Sequence, residues 1–218
     1  MISERRPTCD RCDRPVVVCY CEFITQLPTR TRVLLLQHPR ERRVGIGTAR
    51  IARLSLPNSE IRVGVDFSED QVVQKALTEN AYLLFPSKDA IDLADVKQDK
   101  PVTLVVVDGT WWQARSLWKR NPSIAALPHV RFTPKAPSDY RIRKEPADHC
   151  VATIEALAHV LGTLEGDAEK FDALLPPFRA MVDKQLAYAK SVNGVRERHQ
   201  KGREKRRQAR IAKIGEVG

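Results

Sequence analysis

Two clusters of chemically capable residues stand out in this 218-residue chain. The first is Asp108-Gly109-Thr110-Trp111-Trp112, which follows the aliphatic run Val102 to Val107 and precedes a helix-like stretch ending at Arg120. A run that is apolar on both faces suits a strand buried inside a parallel sheet. The junction therefore falls at a strand's carboxyl end and a helix N-terminus, which is where ligands bind in open α/β sheets. A helix start offers free N–H groups and a positive dipole end. Asp108 there can move a proton, and either Asp108 or Thr110 can cap the helix. The second cluster is Cys9, Cys12, Cys19 and Cys21, four of the five cysteines within thirteen residues. Cys9-x2-Cys12 suits a tight turn, and Cys19-x-Cys21 puts two thiols on one face of an extended segment. Four thiolates complete the tetrahedral shell of a structural zinc site, with no position left open for chemistry. A disulfide pair and a redox Cys-x-x-Cys are the alternatives. A cytosolic chain argues against the first, and the second leaves one pair of cysteines without a role. Cys150 lies apart and reads as packing.

The elements that must position these clusters alternate along the chain. Arg32 to Gln37 reads as a buried strand ending at His38-Pro39-Arg40-Glu41. Arg40, Arg42, Arg43, Arg50 and Arg53 then surround Gly45-Ile46-Gly47-Thr48, an arrangement that can hold a phosphate, and Thr48 to Leu54 reads as a short helix. His38 is a candidate acid or base. Ile61–Val65 and Ala81–Pro86 read as strands, and Glu69–Thr78 and Asp89–Val96 as helices. The helix after Asp108 stops at Asn121-Pro122. Trp111, Ala114, Leu117 and Trp118 share one face of it, whereas Trp112 lies off that face, free for a ligand or a nucleobase. Pro128–Thr133 reads as a strand, residues 135–146 as a polar loop and Asp148–Gly162 as a helix. A long helix is expected over Asp167–Ala189, interrupted near Pro176-Pro177. The alternation predicts an α/β fold with a mostly parallel sheet and flanking helices. The expected organisation is a zinc-binding segment over 1–28, the α/β domain over 29–190 and a basic tail over 191–218.

The net charge of +10 is unevenly spread. Residues 30–53 carry seven arginines against one glutamate, and residues 190–218 carry ten basic residues against three acidic ones. Two basic zones on a nearly neutral body point to a polyanionic partner, most simply a nucleic acid. No apolar run approaches the ~20 residues needed to span a bilayer. The N-terminus is polar and lacks a signal-like apolar core, so a cytoplasmic protein without membrane association is expected.

Taken together, the motifs resemble the DTW-domain family. Asp108-Gly109-Thr110-Trp111, with Ala114 and Arg115, matches its defining motif, and the four clustered cysteines match its N-terminal segment. His38-Pro39-Arg40-Glu41, Leu84-Phe85-Pro86, Tyr140-Arg141-Ile142-Arg143 and Thr153-Ile154-Glu155-Ala156 match further motifs in the family's order. One departure is Ala152-Thr153, where many relatives carry Ser-Thr. The resemblance implies a fold related to the knotted SPOUT methyltransferases. It also implies a tRNA-uridine aminocarboxypropyltransferase that uses S-adenosylmethionine as donor. Asp108, Thr110 and Trp111 would then be catalytic, Asp108 as base or as donor ligand. Leu84, Phe85, Pro86, Asp108, Thr110, Arg141, Thr153 and Glu155 would bind the donor. His38, Arg40, Arg42, Arg43, Trp112 and Arg143 would contact RNA, with Trp112 or Tyr140 stacking the target base. A SPOUT-like tRNA methyltransferase and a non-catalytic zinc-ribbon RNA-binding protein are the competing readings.

Overall fold

A computed structural model describes residues 7–134, 136–142 and 150–192, without the side chains of Arg43 and Trp111. Arg143 and residues 193–218, nearly all of the basic tail, lie outside the described residues. The chain opens with a short antiparallel ribbon, β1 (Thr8–Cys9) and β2 (Arg14–Pro15), followed by 3-10 turns at Val16–Val18 and Cys21–Phe23. The main body then runs β3 (Arg32–Gln37), α1 (Ala49–Ser55), β4 (Ser59–Val63), α2 (Gln71–Leu77), β5 (Ala81–Leu84) and β6 (Ile91–Asp92). It continues through β7 (Thr103–Asp108), α3 (Trp111–Arg120), α4 (Pro122–Ala125), β8 (His129–Arg131), α5 (Thr153–Glu165) and α6 (Ala168–Asp172). A last helix, α7, covers residues 175–192.

Six strands pair in parallel in the order β4-β3-β7-β5-β8-β6. The chain moves outward from β3 to β4, then crosses to the other side, where β7 inserts between β3 and β5. The carboxyl ends of β3, β7 and β5 thus flank a reversal of strand order, the position where open α/β sheets form a crevice. Successive residues of β3 and β7 serve opposite faces. Val33, Leu35, Leu104 and Val106 pack under α1, α5, α6 and α7, while Leu34, Leu36 and Val105 pack under α2, α3 and α4. Helices on both faces explain why these strands are apolar throughout.

The other elements show where local pattern misleads. The helix expected over Asp89–Val96 is instead the strand β6 and the 3-10 turn Leu93–Asp95. Ile91 and Asp92 pair with Val130 and Arg131, and the Asp92 side chain accepts from Ala94 N at 3.1 Å, capping a turn too short to be a helix. The helix expected to end at Gly162 runs on to Glu165, where Gly166 closes it in the left-handed conformation (φ 71°). The helical stretch is interrupted near Pro176-Pro177 as expected: α6 ends at Asp172, and the prolines sit in the first turn of α7, where a missing N–H costs nothing.

The cysteine segment is clasped from behind by the last helices. Cys12, Tyr20 and Leu27 join the same core cluster as Phe178 and Met181 of α7. Lys184 Nζ donates to Cys19 O and Glu22 Oε1, both at 2.6 Å, and Lys170 Nζ donates to Pro28 O at 2.6 Å. Among the described residues no helix is long and apolar enough to cross a membrane.

Candidate active site

Parallel register sets Gln37 beside Asp108 at the carboxyl ends of β3 and β7. Both are polar yet 93% buried, and a buried carboxylate needs donors. Gln37 Nε2 donates to Asp108 Oδ2 at 2.9 Å, and Thr153 Oγ1 donates to Oδ1 at 3.0 Å. Thr153 is the first residue of α5, so the carboxylate also meets the positive end of that helix. His38 N donates to the Asp108 carbonyl at 3.0 Å, which ties the β3 exit to the β7 exit.

The turn after Asp108 is built by close fit. A Cβ on Gly109 would stand 3.1 Å from both Cβ and Oε1 of Gln113 and 3.6 Å from Cβ of His38. Thr110 caps α3: its Oγ1 accepts from Gln113 N at 3.3 Å, while Gln113 Oε1 accepts from Thr110 N at 2.6 Å. This reciprocal capping box answers which residue of the turn is the cap.

Beside Asp108 lies a cavity of about 400 Å³, within the usual range of small-molecule sites. Its walls come from Leu84-Phe85-Pro86 after β5, Val106 to Gly109 of β7, and Val130 to Pro134 of β8 and its exit. Glu41, Val44, Gly47 and Thr48 after β3, Tyr140, and Cys150 to Thr153 before and within α5 complete them. Of the residues expected to hold the donor, the structure brings Leu84, Phe85, Pro86, Asp108 and Thr153 together there.

The remaining candidates are placed elsewhere. The hydroxyl of Thr110 is committed to the cap. Glu155 accepts from Ser138 Oγ at 2.6 Å, Asp139 N at 2.8 Å and Ala152 N at 2.7 Å, so it pins the loop that carries Tyr140 against the start of α5. Arg141 faces outward, bonded to Asp139 at 3.1 Å and to Asp183 at 2.7 Å, a pairing that holds its guanidinium above its usual pKa. The Tyr140 ring packs edge-on against Phe178 and its hydroxyl donates to Ile46 O, so it forms a wall and is no free stacking platform. Trp112 is 81% exposed. His38 Nδ1 accepts from Arg40 N at 3.3 Å, and Arg40 is exposed. The Trp111 and Arg43 side chains and Arg143 lie outside the described residues. Sequence reasoning missed Gln37, Gln113 and Ser138. A glutamine closing an aliphatic strand and a Thr-x-x-Gln spacing were the available signals.

The four N-terminal thiols form a second site. Their sulfurs all lie within 4.8 Å of one another, with Cys9–Cys21 at 3.8 Å and Cys12–Cys19 at 3.7 Å, and none is in a disulfide. A tetrahedron of sulfurs about 2.3 Å from a central ion has edges of about 3.8 Å, so the residues fit a tetrathiolate metal site. Cys9 is lowered to about 6, first by the backbone N–H of Cys12 and then by that of Arg11. Burial raises Cys12 above the ordinary thiol value, and raises Cys21 well above it. One thiolate is thus ready, and a dication would offset the cost of ionising the rest.

The DTW domain model matches residues 6–186. The chain belongs to the DTW domain family. This DTW protein is 34% identical over 191 residues to tRNA-uridine aminocarboxypropyltransferase 2 of Drosophila melanogaster, covering 84% of this chain and 76% of that one. It is 30% identical to the mouse protein of the same name (Mus musculus), covering 87% and 67%. It is 27% identical to tRNA-uridine aminocarboxypropyltransferase A of Arabidopsis thaliana, covering 85% and 83%. No solved structure matches the DTW protein.

Proposed function

We propose that this DTW protein is a tRNA-uridine aminocarboxypropyltransferase of the cytoplasm. It moves the 3-amino-3-carboxypropyl group of S-adenosylmethionine to N3 of a uridine in tRNA. The N3–Cγ bond forms as the Cγ–sulfur bond breaks, the electron pair stays on sulfur in methylthioadenosine, and the N3 proton passes to Asp108. The observation that carries this reading is the Asp108 carboxylate, fixed by Gln37 and Thr153 in the wall of a cavity of about 400 Å³. The names of the relatives support the reaction class.

In this reading the cavity holds the donor, with Leu84-Phe85-Pro86 against its adenosine and the first turn of α5 toward its carboxylate. Choosing Cγ over the methyl carbon is a matter of aim, because only an aligned nucleophile reacts quickly. The two hydrogen bonds to Asp108 supply that aim by fixing its rotamer. Thr110, Glu155 and Arg141 act on shape: Thr110 fixes α3, and the other two fix the loop over the cavity. Trp112 offers an exposed ring on which a base can stack, a contact worth about 1–3 kcal/mol. Zinc held by Cys9, Cys12, Cys19 and Cys21 would order the N-terminal segment and take no part in the reaction.

The test uses tRNA, labelled donor and mass analysis of the nucleosides. Asp108→Asn should lower turnover by about 10²- to 10⁴-fold while donor binding persists. Unchanged product would remove Asp108 from the reaction, and lost donor binding would make it a donor ligand. A methyl-sized mass gain in the wild-type product would replace this function with methyl transfer.

A further inference from the structure

A second cavity, of about 300 Å³, lies where the cysteine segment meets the exit of β3, α1 and the edge strand β4. Its walls carry five arginines, Arg11 and Arg14 from the cysteine segment and Arg42, Arg50 and Arg53 from the main body, with Glu41 as the one acidic group among them. Arg50 is neutralised by Asp13 at 2.6 Å. Arg11, Arg42 and Arg53 are exposed. Arg14 is 91% buried, and its Nη2 donates to Val44 O at 2.9 Å. Its Nε is buried with no hydrogen-bond partner among the described residues. Burying a guanidinium nitrogen without an acceptor is costly, and it is the geometry of a fork awaiting an anion. A site of this kind, with several cations and one unanswered buried donor, is built for a phosphate group.

The position of this cavity says which phosphate. Glu41 and Gly47 belong to its walls and to those of the cavity beside Asp108. Gln37 lines the arginine cavity while its amide holds the Asp108 carboxylate. A ligand here therefore sits one wall away from the reacting group.

We infer that this arginine cavity is a subsite for one phosphodiester of the RNA substrate, flanking the target nucleotide. The inference rests on the RNA reading above and assigns the cysteine segment a direct part in it. The cysteine turn presents Arg11 and the ribbon presents Arg14, so the segment supplies half of a phosphate site whose other half is α1 and the loop before it. Sequence alone placed Arg42, Arg50 and Arg53 near a phosphate, and the fold adds the arginines from the cysteine segment.

Arg14 also braces Val44, so its replacement would confound folding with binding. The exposed pair Arg11 and Arg53 serves instead. Binding of tRNA to the full chain is measured against salt for wild type, for Arg11→Gln with Arg53→Gln, and for Lys97→Gln with Lys100→Gln. The lysines lie near the amino ends of β5 and β7, where Asn80 donates to both of their carbonyls. The arginine pair should weaken tRNA binding roughly tenfold at fixed salt and make the salt slope shallower by about 0.7–0.9, the range for one phosphate. The lysine pair should do neither, and donor binding should be unchanged in both. Inorganic phosphate should compete with tRNA in wild type and lose that effect in the arginine variant. Equal tRNA affinity and salt slope in the two variants would overturn the subsite while leaving the RNA reading of the wild-type chain standing. Phosphate that displaces the donor instead of tRNA would make this a donor site and would also overturn it. A wild-type chain that fails to bind tRNA would overturn the functional reading itself, and this inference with it.

Discussion

In residues 7–28 the paired strands are two residues long, and Val16, Val17 and Phe23 stand 54%, 60% and 40% exposed. In β3 and β7, by contrast, Leu34, Leu35, Leu104 and Val105 are fully buried, with helices on both faces. A two-stranded ribbon is marginal in water, whereas each fully buried aliphatic side chain contributes roughly 1.5–3 kcal/mol. The sheet is thus held by apolar burial throughout, whereas the cysteine segment anchors only Cys12, Tyr20 and Leu27 in the main core and relies besides on four converging thiols and the lysine clasp from α6 and α7. Each region positions a different part of the site. The rigid sheet ends fix the buried carboxylate, and the cysteine segment presents Arg11 at the surface.

The most direct way to break this comparison is to disable the thiol cluster as a metal site. Metal binding to a structural tetrathiolate is worth on the order of 10 kcal/mol in small zinc domains and is coupled to their folding. A strong chelator, or Cys12→Ser, should therefore abolish amide-exchange protection across residues 7–28. The amides of β3 and β7 should keep theirs, because Leu34, Leu104 and Val105 need no metal to stay buried. Equal loss of protection in the strands would show that the two regions fold as one unit.

The converse change attacks the sheet. Leu104 is fully buried and packs on the face covered by α5. Leu104→Ala should cost about 2–5 kcal/mol, read as a lower denaturation midpoint at unchanged slope. The metal content of the folded variant should equal that of wild type. A variant that loses metal in parallel with stability would place the thiol site inside the same cooperative unit as β7.

What could be read in advance follows from the range of the interactions involved. β3 and β7 were legible because burial on two faces leaves a continuous aliphatic run. The four cysteines were legible because their ligand geometry is set within thirteen residues. Asp108 was legible as a strand end, but its partners were not: Gln37 is 71 residues away and Thr153 is 45 residues away. The same holds for Arg11 and Arg14, which reach α1 only once the segment docks. Asp89–Val96 misled because a capped 3-10 turn and a two-residue strand carry apolar residues at spacings that also fit a helix. A knot depends on how the chain threads through itself, and no residue pattern encodes that.

A smaller effect tests the tie between the end of α5 and the entry to β3, where the two regions join. Glu165, the last residue of α5, receives Thr31 Oγ1 at 2.6 Å, Thr31 N at 2.8 Å and Arg30 N at 3.2 Å, just before β3 begins. Its side chain is 92% buried, and that burial alone would raise its pKa. The donors from Thr31 and Arg30 outweigh burial and hold the carboxyl below its ordinary value of 4.5. The Arg30 guanidinium adds little, because it lies 3.5 Å away and is 75% exposed. Since the folded carboxyl ionises more readily than the unfolded one, its contribution is complete above about pH 4.5 and is lost as pH falls through the lower folded value. Glu165→Gln should therefore cost about 1.5–3 kcal/mol at neutral pH, the scale of hydrogen bonds to a charged acceptor. The gap from wild type should close as both proteins are titrated into the acid range. A gap that stays constant with pH would mean that Glu165 acts through packing, and that the carboxylate does not hold the entry to β3 against the end of α5.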